Sequence, residues 1–185
     1  MNKTTKTYQA IKPIAKLLTT GKVMCIDPST GSQSSMPGYA YYEKGVMIES
    51  GIIEVDHRLN SSLRLYEIAR TIREDFPVAD LLIVEFIPPV TYVGGMNSIA
   101  LMALQRSIGA IVSAHPYEHL LEIPASAWKA YKPEGYVKSD EWDAVCLGNC
   151  AITVAREILE EPDQQPKPKK NSKKNKRKAR RNGRR

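Results

Sequence analysis

The sequence predicts an α/β fold: a mixed five-stranded sheet in the order βββαβαβα, flanked by helices and followed by a disordered basic tail. Three patterns support this prediction: an early hairpin, helical periodicity between the later strands, and a sharp change of charge near residue 162. A hairpin followed by helical crossovers indicates a mixed sheet rather than a Rossmann fold. We therefore expect one domain over residues 1–161 and a tail over residues 162–185.

The N-terminal segment contains one predicted helix and one predicted strand. Apolar residues at helical spacing predict an amphipathic helix over residues 8–19, with Pro13 near its start, where proline is tolerated. The short apolar run at residues 23–26 predicts a buried strand that ends at Asp27. A loop rich in Ser, Gly and Pro continues to Gly38. Asp27 is therefore expected at the carboxyl end of a strand.

A hairpin and a long helix follow. Strands are predicted over residues 39–43 and 46–55, because these runs flank the turn residues Lys44 and Gly45. A helix is predicted as far as Pro77, because apolar residues then recur at intervals of three and four. The predicted apolar face of this helix consists of Leu59, Leu63, Tyr66, Ala69, Ile72 and Phe76.

The second half of the sheet is predicted from two short apolar runs. Residues 81–84 form a continuous apolar run, which is typical of a strand buried on both faces, and Glu85 follows it directly. Residues 96–114 are predicted to be helical, and residues 120–123 are predicted to form a fifth strand. Glu85 thus has the same sequence context as Asp27.

The last predicted helix spans residues 140–159, after a brief helix that begins near Pro124. Three cysteines, Cys25, Cys146 and Cys150, lie in apolar predicted elements, so we expect free core residues rather than a disulfide framework. A zinc site at Cys146 and Cys150 is the alternative, although no CxxC pair or nearby histidine completes it. The predicted apolar face of the last helix consists of Ala144, Leu147, Gly148, Ala151, Val154, Ala155 and Ile158.

The sequence contains no membrane or secretion signal that we recognise. No apolar stretch approaches the roughly 20 residues of a membrane-spanning helix, and the polar start MNKTTKTYQ lacks a hydrophobic secretory region. We therefore expect a soluble, intracellular protein that does not bind membranes.

Charge is divided unequally along the chain. Of 27 basic residues, twelve lie in residues 167–185, where there is no acid, so the rest of the chain carries 15 basic against 20 acidic residues. This pattern predicts a cationic arm that binds nucleic acid, with a localisation signal or a solubility segment as the alternative. The predicted nucleic-acid contacts in the arm are Lys169, Lys170, Lys173, Lys174, Lys176, Arg177, Lys178, Arg180 and Arg181.

Four acids are the candidate site. Asp27 and Glu85 follow strands that are expected to be adjacent and parallel, and Asp140 and Asp143 share one face in the first turn of the last helix. Carboxylates that converge in this way repel one another and are stable chiefly when divalent cations neutralise them. Two hard cations held by such acids can activate water for phosphodiester hydrolysis. The alternative is that each acid only caps a turn or a helix N-terminus.

Three segments resemble the motifs of RuvC-type Holliday junction resolvases, which belong to the RNase H-like class. The segment VMCIDPSTGSQSSMPGYAYYE resembles the first motif, LLIVEF the second, and SDEWDAVCLGNCAI the closing helix with two aspartates three apart. The resemblance covers roughly residues 22–158. It implies an RNase H-like fold and a structure-selective endonuclease that resolves four-way DNA junctions.

The resemblance also implies the site and its partners. Asp27, Glu85, Asp140 and Asp143 would be the catalytic metal-binding acids, with two Mg²⁺ ions per site, or Mn²⁺ in their place. Lys129 falls where the family has a lysine that contacts DNA near the active site. The family acts as a homodimer on branched DNA, in the cytoplasm of a bacterial or phage-infected cell; the nucleoid or an organelle is the eukaryotic alternative.

Further DNA contacts are expected near this site. Only ten residues separate Lys129 from Asp140, fewer than in the bacterial resolvases, and Lys132 and Lys138 are the candidates to replace the missing contacts. Tyr92, in the loop after the fourth strand, is a candidate to stack on unpaired bases. Two other functions stay open at this point: cleavage of flaps, forks or RNA:DNA hybrids, and nucleic-acid binding without catalysis.

Overall fold

A computed structural model describes residues 5–87, 98–132 and 135–160. Within this part of the chain, five strands form one sheet in the order β3-β2-β1-β4-β5. β1 pairs with β2, and β2 with β3, in antiparallel register, whereas β1–β4 and β4–β5 are parallel. The predicted mixed five-stranded sheet is confirmed. The strands are β1 (Lys22–Asp27), β2 (Gly38–Glu43), β3 (Val46–Ile52), β4 (Leu81–Phe86) and β5 (His119–Pro124).

Helices cover both faces of the sheet. α1 and α2 lie with α5 and α6 on one face, and α3 and α4 pack together on the other. The helices are α1 (Lys6–Ile11), α2 (Ala15–Thr20), α3 (Ser61–Asp75), α4 (Ser98–Ala114), α5 (Ala125–Trp128) and α6 (Asp140–Glu160). The predicted order βββαβαβα is confirmed, with the brief helix α5 placed between β5 and α6. No helix in the described part of the chain is long and apolar enough to cross a membrane.

Alternation along the central strands divides the core into two layers. In β1, Val23 and Cys25 face the layer under α6, whereas Met24 and Ile26 face the layer under α3 and α4. β4 repeats this division, and the apolar residues of both strands are fully buried. Successive side chains of a strand point to opposite faces, so a continuous apolar run satisfies both layers. The central strands are thereby fixed in position, and with them the acids at their ends.

The predicted N-terminal helix is wrong in its continuity. The structure contains α1 and α2 separated by a 3₁₀ turn, Lys12–Ile14, so Pro13 lies in the middle of the segment rather than near its start. Proline has no backbone N–H and its ring clashes with the preceding turn, so it interrupts α-helical hydrogen bonding. The apolar face survives the interruption, because Ile11, Ala15 and Leu18 are all buried.

The predicted apolar face of α3 is also only partly right. Ile72 is buried, together with Ile68, which the prediction omitted. Leu63 and Tyr66 are instead 48% and 58% exposed. The helix begins at Ser61, capped by the Asn60 side chain on the Leu63 N–H at 3.0 Å. Arginines on several faces of α3 leave only a narrow apolar stripe. The part of this stripe that packs against α4 is the part that is buried.

α6 lies at the centre of one helical layer. The predicted face is buried in large part, and Val145, Cys146, Cys150 and Ile152 are buried as well. Gly148 lets the helix approach the sheet, because a Cβ there would collide with the Tyr42 ring. The Tyr42 hydroxyl donates to the Val145 carbonyl oxygen at 3.0 Å. The helix is therefore held tightly against the sheet, and its first turn has a fixed place at the sheet edge.

The cysteines and the C-terminal segment bear on two further predictions. Cys25, Cys146 and Cys150 are free and buried, and no group of three metal-binding side chains is found in the described residues. Burial raises the pKa of the Cys146 thiol to about 11, which keeps it protonated at neutral pH. The predicted tail, residues 162–185, lies outside the described residues.

Candidate active site

Asp27 and Glu85 lie side by side at one edge of the sheet. β1 and β4 are parallel neighbours, and Ile26 pairs with Val84, so the acid that follows each of these residues emerges at the same level. The two carboxyl groups are hydrogen-bonded to each other. Asp27 is only 9% exposed, and Glu85 is half-buried. The carboxyl edge of a parallel sheet thus holds a close pair of acids.

The first turn of α6 brings two more acids to this edge. The Asp140 carboxylate accepts hydrogen bonds from the Met36 N–H, at 3.0 Å, and from the Ser35 side chain. Gly38, the first residue of β2, passes directly beneath the Asp140 carbonyl group, and a Cβ on Gly38 would overlap that oxygen. The loop before β2 therefore fixes both the backbone and the side chain of Asp140.

Asp143 is held by a tyrosine that no sequence motif marks. The Tyr136 hydroxyl donates to Asp143 Oδ1 at 2.6 Å. The ammonium group of Lys132 lies over the Tyr136 ring, 4.3 Å from its centroid, which is cation–π geometry. Lys132 thus reaches the acidic cluster indirectly, through Tyr136.

Burial and mutual repulsion dominate the electrostatic properties of the cluster. Burial, and after it the Glu85, Asp143 and Asp140 carboxylates, raise the pKa of Asp27 to about 9. Burial also raises the pKa of Glu85, although its hydrogen bond with Asp27 and the positive charge of Lys129 act in the opposite direction. At neutral pH the Asp27–Glu85 pair therefore retains a proton. A divalent cation would stabilise the ionised form of the pair in place of that proton.

The chemistry of the donors fits a hard divalent cation such as Mg²⁺. The carboxyl groups of Glu85, Asp143 and Asp140 lie close enough to Asp27 to raise its pKa, and carboxylate oxygens are the ligands that such ions prefer. In the described residues no three of these acids are already arranged around one point. Each is instead engaged by a hydrogen bond: Asp27 with Glu85, Asp140 with Met36, and Asp143 with Tyr136. Metal binding would require these side chains to exchange hydrogen bonds for coordination.

Basic residues and an open groove border the acids. Lys129, at the end of α5, is close enough for its charge to lower the pKa of Glu85, and its ammonium group lies 5.3 Å from the centroid of the Trp128 ring. A groove of about 430 Å³ runs beside α6, and Lys138 lines it together with the two acids of that helix. The other lining residues are Gln33, Ser34, Ser35, Met36, Ile52 and Ser139. Asp140 and Asp143 thus border an open groove at this edge of the sheet.

Seven of the predicted site residues lie at or near this edge, and the others lie outside the described residues. The four acids and Lys129 lie together, Lys138 lines the adjacent groove, and Lys132 contacts Tyr136. Tyr92 and the tail residues Lys169, Lys170, Lys173, Lys174, Lys176, Arg177, Lys178, Arg180 and Arg181 lie outside the described residues.

Three contacts at this site were missed in the sequence. Tyr136 lies four residues before Asp140 in an irregular segment, where its position gives no signal of a role. The Met36 N–H acts through the backbone, so its side chain gives no signal either. Gly38 carried a detectable signal, because a glycine directly before a strand often marks a close backbone approach.

Comparison with solved structures places this arrangement in a known fold. A structure of T. thermophilus RuvC in complex with Holliday junction substrate superposes with a TM-score of 0.55 at 13% identity, over 74% of this chain and 95% of that chain. A second Thermus thermophilus RuvC structure gives a TM-score of 0.51 at 14% identity, over 74% and 96% of the two chains. The yeast mitochondrial Holliday junction resolvase Ydc2 superposes less well, with a TM-score of 0.48 at 9% identity, over 82% and 92%.

Comparison of sequences identifies no related protein. No protein-family model matches the chain, and no curated protein matches it. The assignment therefore depends on the backbone, which superposes over 95% and 96% of the two Thermus chains. This chain has the fold of RuvC-type resolvases, which is an RNase H-like fold.

Proposed function

We propose that this protein is a metal-dependent endonuclease that cuts four-way DNA junctions. The observation that carries the proposal is the group of four acids at the carboxyl edge of β1 and β4, beside an open groove of about 430 Å³. The fold supports the choice of substrate, because it is shared with a RuvC structure in complex with Holliday junction substrate. Fold alone does not determine a substrate, so cleavage has to be measured.

Each residue of the site has a proposed role. Asp27, Glu85, Asp140 and Asp143 would hold two Mg²⁺ ions, or Mn²⁺ in their place. Bound ions of this kind supply activation of water and stabilisation of the leaving oxygen. Lys129, whose charge acts on Glu85, would bind the scissile phosphate from the side of α5.

Symmetrical cleavage of a junction requires two active sites, and we propose a homodimer. Two copies related by a two-fold axis would present their acids to opposing strands of one junction.

The cleavage test uses a labelled four-way junction with Mg²⁺ or Mn²⁺, beside a linear duplex, a flap and an RNA:DNA hybrid. We expect nicks in two opposing strands of the junction and no cleavage in EDTA. Metal-dependent cleavage without preference for the junction would support a nuclease activity but would contradict the proposed specificity for four-way junctions. Binding without any cleavage would reject both, and would leave a nucleic-acid-binding protein on an RNase H-like scaffold.

The basic C-terminal segment is proposed to increase affinity for any DNA. Ending the chain at residue 161 removes all twelve basic residues of the tail, and the remainder carries more acids than bases. We expect duplex affinity to fall, and the slope of log K against log salt to become shallower by about 0.9 for each phosphate that the shortened protein no longer neutralises. Fluorescence anisotropy over a salt series measures both quantities. An unchanged slope would assign the tail another role, such as localisation.

A further inference from the structure

A second cavity opens on the α3–α4 side of the same sheet edge. It has a volume of about 140 Å³ and lies between the loop after β1, the start of α3 and the middle of α4. That volume is below the roughly 300 Å³ at which pockets for whole small molecules begin, and it equals about four or five times the volume of a water molecule. The cavity suits a small group rather than a base. It is lined by Thr30, Ser61, Ser62, Arg64, Leu65, Ala103 and Arg106.

Two arginines give this cavity its charge. Arg64 donates to three backbone carbonyl oxygens, those of Thr30 at 3.1 Å, Leu59 at 2.6 Å and His57 at 3.2 Å. These acceptors are uncharged, so they orient the guanidinium group without neutralising it. Arg106, on α4, is exposed, and no carboxylate of the described residues forms an ion pair with either arginine. The cavity therefore contains two positive charges and no negative one.

The other lining residues favour an anion with several oxygens. Thr30, Ser61 and Ser62 provide hydroxyl groups that can donate hydrogen bonds. Leu65 and Ala103 form an apolar wall, which weakens screening of the arginine charges by water. Guanidinium groups bind phosphate oxygens with favourable geometry, so the chemistry of this lining is that of a phosphate site.

The loop after β1 fixes the distance between this cavity and the acids. Thr30 is three residues after Asp27, so a chain of this length spans at most about 11 Å. The loop is anchored as well, because the Ser107 hydroxyl of α4 donates to the Ser29 carbonyl oxygen. One strand of B-DNA advances about 3.4 Å along the axis per nucleotide, so the span corresponds to at most about three nucleotides.

We propose that this cavity binds a backbone phosphate of the DNA strand that is cut, within about three nucleotides of the scissile phosphate. This inference rests on the proposed function, because that function identifies the ligand as DNA. The binding measurement that tests it does not require cleavage. A phosphate bound in this cavity would fix the position of the strand relative to the acids, and so would determine which phosphodiester bond lies at the acids. Phosphate contacts of this kind position a nucleic acid without reading its sequence.

The experiment measures binding of a four-way junction in EDTA, where cleavage is prevented. Single phosphates on either side of the branch point, about three in each direction, are replaced one at a time by uncharged methylphosphonates. We expect one position to weaken binding by roughly tenfold, as expected for loss of a charged hydrogen bond. Arg106→Ala should weaken binding of unmodified DNA to a similar degree, reduce the salt slope by about one, and remove the effect of that methylphosphonate.

Arg106 is the suitable position because it is exposed, whereas Arg64 holds the backbone of the loop together. The matched control is Arg73→Ala, which removes the same charge from the exposed last turn of α3. This variant should respond to the critical methylphosphonate as the unaltered protein does. Equal losses of affinity in the two variants would overturn the proposal, because they would indicate a general effect of charge.

Two further outcomes separate this inference from the proposed function and from a free-anion site. A critical phosphate that depends on Arg106, found in a protein that cuts no junction, would uphold the cavity and reject the nuclease. Junction cleavage without any critical phosphate would support the nuclease and overturn the proposal for the cavity. Thermal stabilisation by inorganic phosphate that disappears in Arg106→Ala, without a critical position in the DNA, would overturn the proposal in favour of a site for free anions.

Discussion

Asp27→Asn should abolish cleavage and stabilise the fold at the same time. Asparagine keeps the shape of the side chain but cannot carry the charge that holds a metal ion. Loss of an outer-shell partner of a metal ligand can already cost about 10- to 100-fold in activity, so loss of a ligand should cost more. The substitution also removes a carboxyl group whose ionisation is opposed by burial and by the Glu85, Asp143 and Asp140 carboxylates. We expect the free energy of unfolding in EDTA to rise by about 1 to 2 kcal/mol.

The pH dependence of stability gives the sign of this effect. The pKa of Asp27 is raised from an ordinary value of 3.8 to about 9 in the folded protein. Between these values the folded state retains a proton that the unfolded chain has released, so folding takes up a proton and stability falls as the pH rises. In EDTA the unaltered protein should lose stability from about pH 4 to pH 9. Asp27→Asn should show a smaller loss over the same window.

Asp56→Asn is the matched control for this prediction. Asp56 is exposed and hydrogen-bonded to Arg58, which lowers its pKa to about 2, the opposite direction to Asp27. Its replacement should leave cleavage unchanged and should not stabilise the protein. Cleavage assays and thermal melts over a pH series measure both variants. If Asp27→Asn destabilised the protein like an ordinary core substitution, Asp27 would be a structural residue and the metal site would be wrong.

Gly38→Ala is expected to inactivate the protein from a position that has no catalytic group. A Cβ at Gly38 would overlap the carbonyl oxygen of Asp140 and approach the Glu141 nitrogen to 2.7 Å. Both contacts are with backbone, so the first turn of α6 would have to shift away from β2 and carry Asp140 and Asp143 with it. Overpacking of this kind typically costs about 1 to 3 kcal/mol. We expect a lower melting temperature and loss of metal-dependent cleavage.

Gly109→Ala tests whether the effect is local. Gly109 lies within α4, and a Cβ there would meet no atom within 4 Å. Alanine is the better helix former by about 1 kcal/mol, so this variant should melt at the same or a higher temperature and keep its activity. Cleavage by Gly38→Ala at the unaltered rate, in a protein that melts normally, would show that the first turn of α6 tolerates the displacement.

The sequence predicts the main elements of this fold because they depend on local patterns. The continuous apolar runs before Asp27 and Glu85 are typical of strands buried on both faces, and the structure contains β1 and β4 as parallel neighbours. The hairpin turn at Lys44 and Gly45 could also be predicted from the sequence. In the structure both residues adopt positive φ, as the favoured two-residue hairpin turns require. Patterns of this kind place the four acids at one sheet edge without any knowledge of distances.

The remaining features depend on tertiary contacts and have no local pattern. Tyr136 holds Asp143 across an irregular segment, and Asp140 accepts from the backbone of Met36, about a hundred residues earlier in the chain. The burial of Ile68 in α3 in place of Tyr66 is likewise decided by α4. The arginine cavity assembles residues from three separate elements. None of these contacts produces a regular spacing of residues along the sequence from which it could be predicted.

The length of α6 separates the two ends of the proposed DNA-binding surface. This helix has 21 residues, so it is about 30 Å long, with the acids in its first turn and Glu160 at its far end. Near that far end, Arg156 donates to the Gly45 carbonyl oxygen at 2.8 Å, which fixes the helix to the hairpin turn. Glu160, the last described residue, therefore lies about 30 Å from the acids, which equals about nine base pairs of duplex. If the acids and the basic segment both bind DNA as proposed, a junction arm would have to be longer than α6 to contact both ends of this helix.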